Sequence, residues 1–284
     1  MKTHILPIIL SAIAVFSGCD NLEEHPYASK IHGATDVIAT NVTKVEQLGL
    51  KLPIKFGFVT DTQGSYNELE DAVESLKKRG DLSFIIHGGD MTDFGLPKEF
   101  VWCRDLMQKT ELPYLPVLGN HDCLGNGERT YHYIFGDLNY SFNVGPVHFV
   151  MLNTIALEYD YSRPVPDFGF MTADYEAVDS INAAHPDSIT HTIAVMHSRP
   201  FDSQFNNNVA DAFNYYLEHY PGMKSPEGET STHGFCLCGH NHLYQVEDLF
   251  DNGIIYWQCA NLGKRQYFVV TVKEDGYEVE TIDF

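Results

Sequence analysis

Five short polar stretches interrupt the apolar parts of this sequence, each carrying side chains able to hold a cation. They are Asp61-Thr62-Gln63, Gly89-Asp90-Met91-Thr92-Asp93, Gly119-Asn120-His121-Asp122, Met196-His197 and Gly239-His240-Asn241-His242. Carboxylate, amide oxygen and imidazole make a mixed oxygen and nitrogen donor set suited to Zn, Mn or Fe. Five such stations supply ligands for two metals. Two cations about 4 Å apart stabilise both oxygens of an in-line phosphoryl displacement and lower the pKa of a shared water, which makes a bridging hydroxide the expected nucleophile. The glycines let the backbone turn sharply beside a crowded centre. A His-x-His pair on a loop is weak evidence alone; its weight comes from its order after Asp90 and Gly119-Asn120-His121-Asp122.

Such side chains need a scaffold that ends its strands in one place. Ile54 to Thr60 is a short apolar run of strand character, followed by a turn and by helical spacing of Leu69, Val73 and Leu76 over Asn67 to Lys78. Strand signals recur at Leu82 to His87, Tyr114 to Leu118, Tyr140 to Val144, Val147 to Asn153 and His191 to Met196. Helices are expected over Lys98 to Lys109, near Asp174 to Ala184 and near Asn208 to Tyr220. The last third is β-rich, with strands at Gly234 to Cys238, Ile254 to Cys259, Tyr267 to Lys273 and Tyr277 to Ile282. This alternation argues for βαβ units in one α/β domain with two sheets. In open α/β sheets the site lies beyond the carboxyl ends of the strands, where all five polar stretches fall. His197 could be a core histidine, but it follows an apolar strand and precedes Pro200, so a ligand role is expected.

In this order the residues resemble the calcineurin-like metallophosphoesterase superfamily, whose pattern runs D-x-H, G-D-x-x-D, G-N-H-D/E, a lone His and G-H-x-H. The resemblance covers Ile54 to the C-terminus. It implies a four-layer α/β/β/α sandwich, two mixed β-sheets flanked by helices. It also implies one metal held by Asp61, Gln63, Asp90 and His242, and a second held by Asp90, Asn120, His197 and His240, with Asp90 bridging. His121 would then act on the substrate phosphate or protonate the leaving oxygen, and Asp93 would orient its imidazole. The departure is Gln63, where most members place His. An amide oxygen is a weaker transition-metal ligand than imidazole, so the first metal is expected to bind more weakly, exchange easily or shift toward Mn or Mg. Some branches resemble this D-x-Q form. The serine/threonine phosphatase signature G-D-x-V-D-R-G is only partly matched, because Phe94-Gly95 replaces its Arg-Gly pair, and purple acid phosphatases place Tyr where Asp93 stands.

With 18 Lys and Arg against 39 Asp and Glu, the formal net charge is −21. An envelope this acidic argues against broad electrostatic binding to nucleic acid or anionic lipid. A phosphate group would need local positive charge, which two metals supply. The N-terminus has a charged start, an apolar run from Ile5 to Phe16 and small residues at Ser17-Gly18, the pattern of a secretory signal over residues 1–18. Phe16-Ser17-Gly18-Cys19 resembles a bacterial lipobox, which implies lipidation of Cys19 and anchoring in the cell envelope, periplasmic or cell-surface. Residues 19–50 are expected to be the lipidated cysteine and a spacer with an edge element, and 51–284 the domain. Five cysteines follow Cys19, an odd number without a CxxC pair; Cys103, Cys123, Cys236, Cys238 and Cys259 are read mostly as packed thiols.

The expected reaction is hydrolysis of a small phosphate monoester or diester, the two differing in the walls around the phosphate. The long stretch Leu157 to Phe170, with Tyr159, Tyr161 and Arg163, is a candidate wall. Tyr161, Arg129, Arg163 and Arg199 are candidates for holding substrate, the arginines through its phosphate. Asp122 and Thr92 are expected to bond within the loops beside the ligands, and His87 to be packed. The rival reading is a substrate-capturing surface lipoprotein of the same fold, its turnover weakened through Gln63.

Overall fold

The computed structural model describes residues 30–156 and 164–284. The expected signal peptide, Cys19, Tyr161 and Arg163 lie outside the described residues. Two mixed β-sheets are flanked by helices, as expected. The first sheet has the order β11-β10-β1-β2-β3, built from β1 (Ile54–Val59), β2 (Ile85–His87), β3 (Tyr114–Pro116), β10 (Gln266–Lys273) and β11 (Gly276–Asp283). Strands β1, β2 and β3 run parallel, and β10 pairs antiparallel to β1. The second sheet has the order β4-β5-β6-β7-β9-β8, from β4 (Tyr140–Val144), β5 (Val147–Leu152), β6 (His191–Met196), β7 (Gly234–Cys238), β8 (Gln245–Asp248) and β9 (Ile255–Gln258). Its four central strands are parallel, with antiparallel β4 and β8 at the edges.

The continuous apolar runs of β5, β6 and β7 follow from burial on both faces. Phe149, Ile193, Val195, Phe235 and Leu237 face the core between the sheets. Their neighbours Val150, Ala194, Met196, Cys236 and Cys238 face a second core under the helices, as strand alternation requires. Between the sheets Phe56 stacks on Phe84 at 5.1 Å and Phe142 on Phe149 at 4.9 Å, with Phe84 edge-on to Phe149 at 5.5 Å. Cys103, Cys236, Cys238 and Cys259 are buried thiols, and among the described residues no disulfide joins them.

The helices are α1 (Val37–Gln47), α2 (Tyr66–Arg79), α3 (Pro97–Gln108), α4 (Gly127–Ile134), α5 (Phe168–Ala184) and α6 (Ala210–Leu217). Four differ from expectation, and among them α4 falls where no helix is expected. Helix α1 lies in the segment expected as spacer: Val37, Ile38 and Val45 are buried, Asn41 Nδ2 donates to the Tyr114 carbonyl at 2.8 Å, and the Arg104 guanidinium donates to the carbonyls of His32 and Ala34 at 2.6 and 2.9 Å. Packing therefore extends before residue 51. Helix α5 starts two turns early because Asp167 caps it, accepting from Phe170 N at 3.0 Å. The expected helix at Asn208 to Tyr220 is a 3₁₀ turn followed by the shorter α6. Strand β8 was not foreseen.

Candidate metal centre

The carboxyl ends of β1, β2 and β3 in one sheet, and of β6 and β7 in the other, meet at one edge. The loops that follow them carry the five polar stretches. Main-chain bonds stitch those loops together: Asp61 N donates to Gly89 O at 3.0 Å, Thr62 N to Asp90 O at 2.9 Å and Gly239 N to His197 O at 3.1 Å. The approach is close enough to demand glycine at two points. A Cβ on Gly119 would collide with the Asp90 main chain and carboxylate, and one on Gly239 with Thr60 and Asp61. Asp61, Asp90, His240 and His242 adopt positive φ of 52, 56, 78 and 58°. Backbone cost of this kind, of order 1–3 kcal/mol each, persists where the surroundings hold it and gathers at functional sites.

All seven expected ligand residues are brought together. Potential ligand atoms of Asp61, Asp90 and His242 lie within 4.8 Å of one another. His242 Nε2 is 3.4 Å from Asp61 Oδ1, and Gln63 Nε2 is 3.2 Å from both Asp90 Oδ2 and His242 Nε2. On the other side His197 Nε2 stands 3.3 Å from Asp90 Oδ2 and 3.2 Å from Asn120 Oδ1, which also meets His240 Nδ1 at 3.0 Å. Asp90 thus touches both groups.

The donor chemistry fits cations. His197 Nδ1 bonds the Gly88 carbonyl at 2.8 Å, and because a carbonyl only accepts, the proton sits on Nδ1 and the Nε2 lone pair of the neutral ring faces oxygens of Asp90 and Asn120. Without a cation these lone pairs oppose each other unless a proton intervenes. Burial works against the His197 imidazolium, but Asp90 and Asp61 outweigh it and raise its pKa to about 10. Asp90 is driven up by burial, but His197 and His121 together outweigh it and leave it below the usual carboxylate value. His242 is raised by its bond to Asp61, and His240 is lowered by burial and by His197. Gln63 Oε1 is buried with no hydrogen-bond partner while Nε2 faces Asp90 and His242; turning the amide over exchanges the two and presents the oxygen to a cation. Gln63, Asp61, Asp90 and His242 could hold one metal, and Asp90, Asn120, His197 and His240 a second.

Around this cluster the outer contacts are fixed. Buried Asp122 joins two loops: Oδ1 accepts from Met91 N, Thr92 N and Thr92 Oγ1 at 2.9, 3.0 and 3.0 Å, and Oδ2 accepts from Gly119 N at 3.0 Å. Burial, with the Asp90 charge beside it, pushes the Asp122 carboxyl up to about 7 against the pull of those donors. His87 is packed as expected, its Nδ1 accepting from Gly89 N and its Nε2 facing Thr62 Oγ1, both at 3.2 Å. Thr60 Oγ1 donates to Asp61 Oδ2 at 2.8 Å, and Asn241 Nδ2 donates to Asp202 Oδ1 at 2.7 Å and Gln258 Oε1 at 3.0 Å, locking the loop between the two histidines. Motif reading left out Thr60, Asn241, Asp202 and Gln258. Adjacency to Asp61 and to the His-x-His pair was the available signal for the first two; the others carried none.

Three expectations change. His121 sits at the mouth, its N donating to Asp90 Oδ1 at 2.9 Å, but its Nδ1 bonds the main-chain carbonyl of Asp93 at 2.9 Å. The Asp93 carboxylate instead accepts from Tyr66 OH at 3.1 Å, so Asp93 orients the ring through its backbone. Arg199 is 5% exposed and committed to Glu247 at 2.6 Å, Gln245 at 3.0 Å and Asp202 at 3.6 Å, which removes it as a phosphate clamp. Arg129 lines a cavity of about 600 Å³ with His132, Tyr133 and Asn139, and none of the ligand residues lines that cavity.

A two-sheet α/β protein with carboxylates, amides and imidazoles gathered at the strand ends is the class that this fold and site define. The family model for the calcineurin-like phosphoesterase matches residues 54–244, and the chain belongs to that family. No curated protein sequence matches it. Among solved structures it is similar to GAP50, the anchor in the inner membrane complex of Plasmodium, at 14% identity and a TM-score of 0.58 over 82% of this chain and 85% of that one. It is similar to purple acid phosphatase PPD1 from yellow lupin (Lupinus luteus) seeds at 12% identity and a TM-score of 0.58, over 83% of this chain and 52% of that one. It also resembles the protein TT1561 of Thermus thermophilus at 12% identity and a TM-score of 0.52, over 81% and 99% of the two chains. At these identities the likeness is one of fold.

Proposed function

We propose that this protein hydrolyses small phosphate esters at the centre formed by Asp61, Gln63, Asp90, Asn120, His197, His240 and His242. The observation that carries the reading is the convergence of these donor atoms from five strand ends, with the Gln63 amide oxygen buried and unpartnered. Two cations of the Mn, Fe or Zn type, when bound, would supply charge neutralisation for phosphoryl oxygens and an acidified water. The chain's own residues do the rest. Asp90 reaches both ligand groups and, through Oδ1, holds the His121 main chain. The Asp93 carbonyl keeps the His121 proton on Nδ1, so Nε2 is the nitrogen that can exchange a proton with a phosphate or leaving oxygen. Asp122 and Thr92 keep the Asp90 and Asn120 loops in register.

Family membership and the fold likeness to a plant phosphatase support hydrolysis; the choice between monoester and diester rests on the walls of the site. A second reading, a substrate-capturing protein with weakened turnover, is favoured by Gln63 and by fold likeness to a protein described as an anchor. The proposed setting is export and lipid anchoring through Cys19, with no nucleic-acid partner. Among the described residues no helix is long and apolar enough to cross a membrane. The test is turnover of bis-p-nitrophenyl phosphate and p-nitrophenyl phosphate by the mature chain across added Mn, Zn, Fe, Mg and Ni, with metal analysis in parallel. Metal-dependent turnover that collapses in His121→Ala while metal content stays supports the enzyme. Bound metal without turnover under any condition supports capture, and absence of bound metal sinks both.

A further inference from the structure

Both ring nitrogens of His240 meet a side chain, and one of those partners lies outside every motif. The His240 main chain is held by Asp61, whose two carboxylate oxygens accept from His240 N at 3.2 and 3.1 Å. The ring faces inward through Nδ1, 3.0 Å from Asn120 Oδ1, and outward through Nε2, 3.2 Å from Ser203 Oγ. Ser203 reaches this place from the loop that follows His197. Asp202 beside it accepts from Asn241 Nδ2 at 2.7 Å, and Phe205, two residues on and 2% exposed, roots the loop in the core under the helices. The loops that carry His197 and His240 are thus joined at two adjacent points, one through Asn241 and one through His240 itself.

We propose that Ser203 is a positioning residue for the second metal, fixing the tautomer and the angle of the His240 ring. This rests on the metal centre of the reading above and adds a residue to it. A neutral imidazole has one N–H and one lone pair. Nδ1 lies with Asn120 Oδ1, the atom with which it would share a cation, so its lone pair has to face inward and the proton has to sit on Nε2. The Ser203 oxygen is placed to accept from that N–H, and a ring held at both nitrogens cannot turn away from the site. His197 is keyed in the same manner from its other nitrogen, with Nδ1 on the Gly88 carbonyl. Outer partners of ligating histidines are worth about 10–100-fold in metal affinity. Ser203 is exposed, so water replaces its hydroxyl in part and the effect belongs at the low end of that range. For the same reason its loss strands no buried group, and folding does not depend on it.

The test is titration of the mature chain with Zn in competition with a chromophoric chelator, with thermal melts of the metal-free variants and ¹⁵N NMR of the His240 ring in the Zn-loaded protein. Ser203→Ala should weaken one of the two Zn constants by about tenfold and leave alone the constant that Gln63→His moves. Ser203→Thr, which keeps the hydroxyl, should keep both constants. The metal-free Tm should be the same in all three proteins, and NMR should find the His240 proton on Nε2. An unchanged second constant in Ser203→Ala, an equal loss in Ser203→Thr, a loss shared by both sites, a fall in the metal-free Tm, or a proton on Nδ1 in the Zn-loaded protein would each overturn the assignment. Because Zn binding is read without turnover, a chain that shows this dependence and hydrolyses no ester would overturn the hydrolase reading and leave the role of Ser203 standing.

Discussion

Two buried polar clusters in this molecule use nearly the same side chains and have opposite characters. Under α5, His148 Nε2 donates to Asp174 Oδ2 at 3.0 Å, and Tyr220 OH and Ser141 Oγ donate to the same carboxylate at 3.0 and 2.5 Å; His148 Nδ1 meets Asn143 Oδ1 at 2.8 Å. Three donors surround the one Asp174 carboxylate. At the strand ends, by contrast, two carboxylates, Asp61 and Asp90, crowd into one space with His197 and His242, and the buried Gln63 oxygen has no partner. A closed cluster contributes to folding, whereas an open one is costly until something positive enters it. Burial does not separate the two; the crowding of two carboxylates at the strand ends against one under α5 does.

The largest effect should come from breaking the closed cluster. Asp174→Ala leaves His148, Ser141 and Tyr220 without their shared acceptor, and loss of about 3–5 kcal/mol is expected from urea unfolding. Metal-dependent stabilisation should survive in that variant as long as it folds. A loss below about 1 kcal/mol would show that the two clusters do not differ as described.

Filling the open cluster should be next in size. Excess Mn or Zn should stabilise the chain by about 2.7 kcal/mol at a hundredfold excess over Kd, read as a rise in Tm that a chelator reverses. Asp61→Asn should shrink that rise and, without metal, leave stability unchanged or higher, since it removes one of two crowded carboxylates. A metal-free Asp61→Asn protein markedly less stable than the unaltered one would place Asp61 in the closed category. Gln63→His is the finer probe: imidazole in place of an amide should tighten the first site by about tenfold, measured by competition with a chromophoric chelator. Equal or weaker affinity would remove Gln63 from the ligand set.

Sequence alone exposed the open cluster better than the closed one, for a physical reason. Cation binding restricts residue types, so Asp61, Asp90, Asn120, His197 and the histidines at 240 and 242 stand out at strand ends. The pair His148 and Asp174 looks like any histidine and any helix aspartate, 26 residues apart. Main-chain roles leave still less trace: Asp93 orients His121 through a carbonyl that any residue possesses. Arg199 had the chemistry of a phosphate clamp, but its partners Gln245 and Glu247 lie on β8, a strand whose alternate burial is too weak to read. Helix α1 escaped notice because the face it buries includes polar Asn41, satisfied by a carbonyl 73 residues away.

The smallest effect concerns acid. Burial raises the Asp174 carboxyl, but the bonds and charge of His148, with Ser141 and Tyr220, outweigh it and hold its pKa below the usual 3.8. A carboxylate depressed in the folded state binds fewer protons there than in the unfolded chain, so its contribution is present above the unfolded value and is lost as pH falls through the folded one. The window therefore lies below about pH 4. Asp174→Asn cannot titrate, so its stability, already lower at about pH 7, should fall less steeply between about pH 4 and pH 2 than that of the unaltered chain. Parallel slopes in urea unfolding over that range would mean that the donors around Asp174 hold a neutral carboxyl as well as a charged one, and the closed cluster would owe its stability to packing.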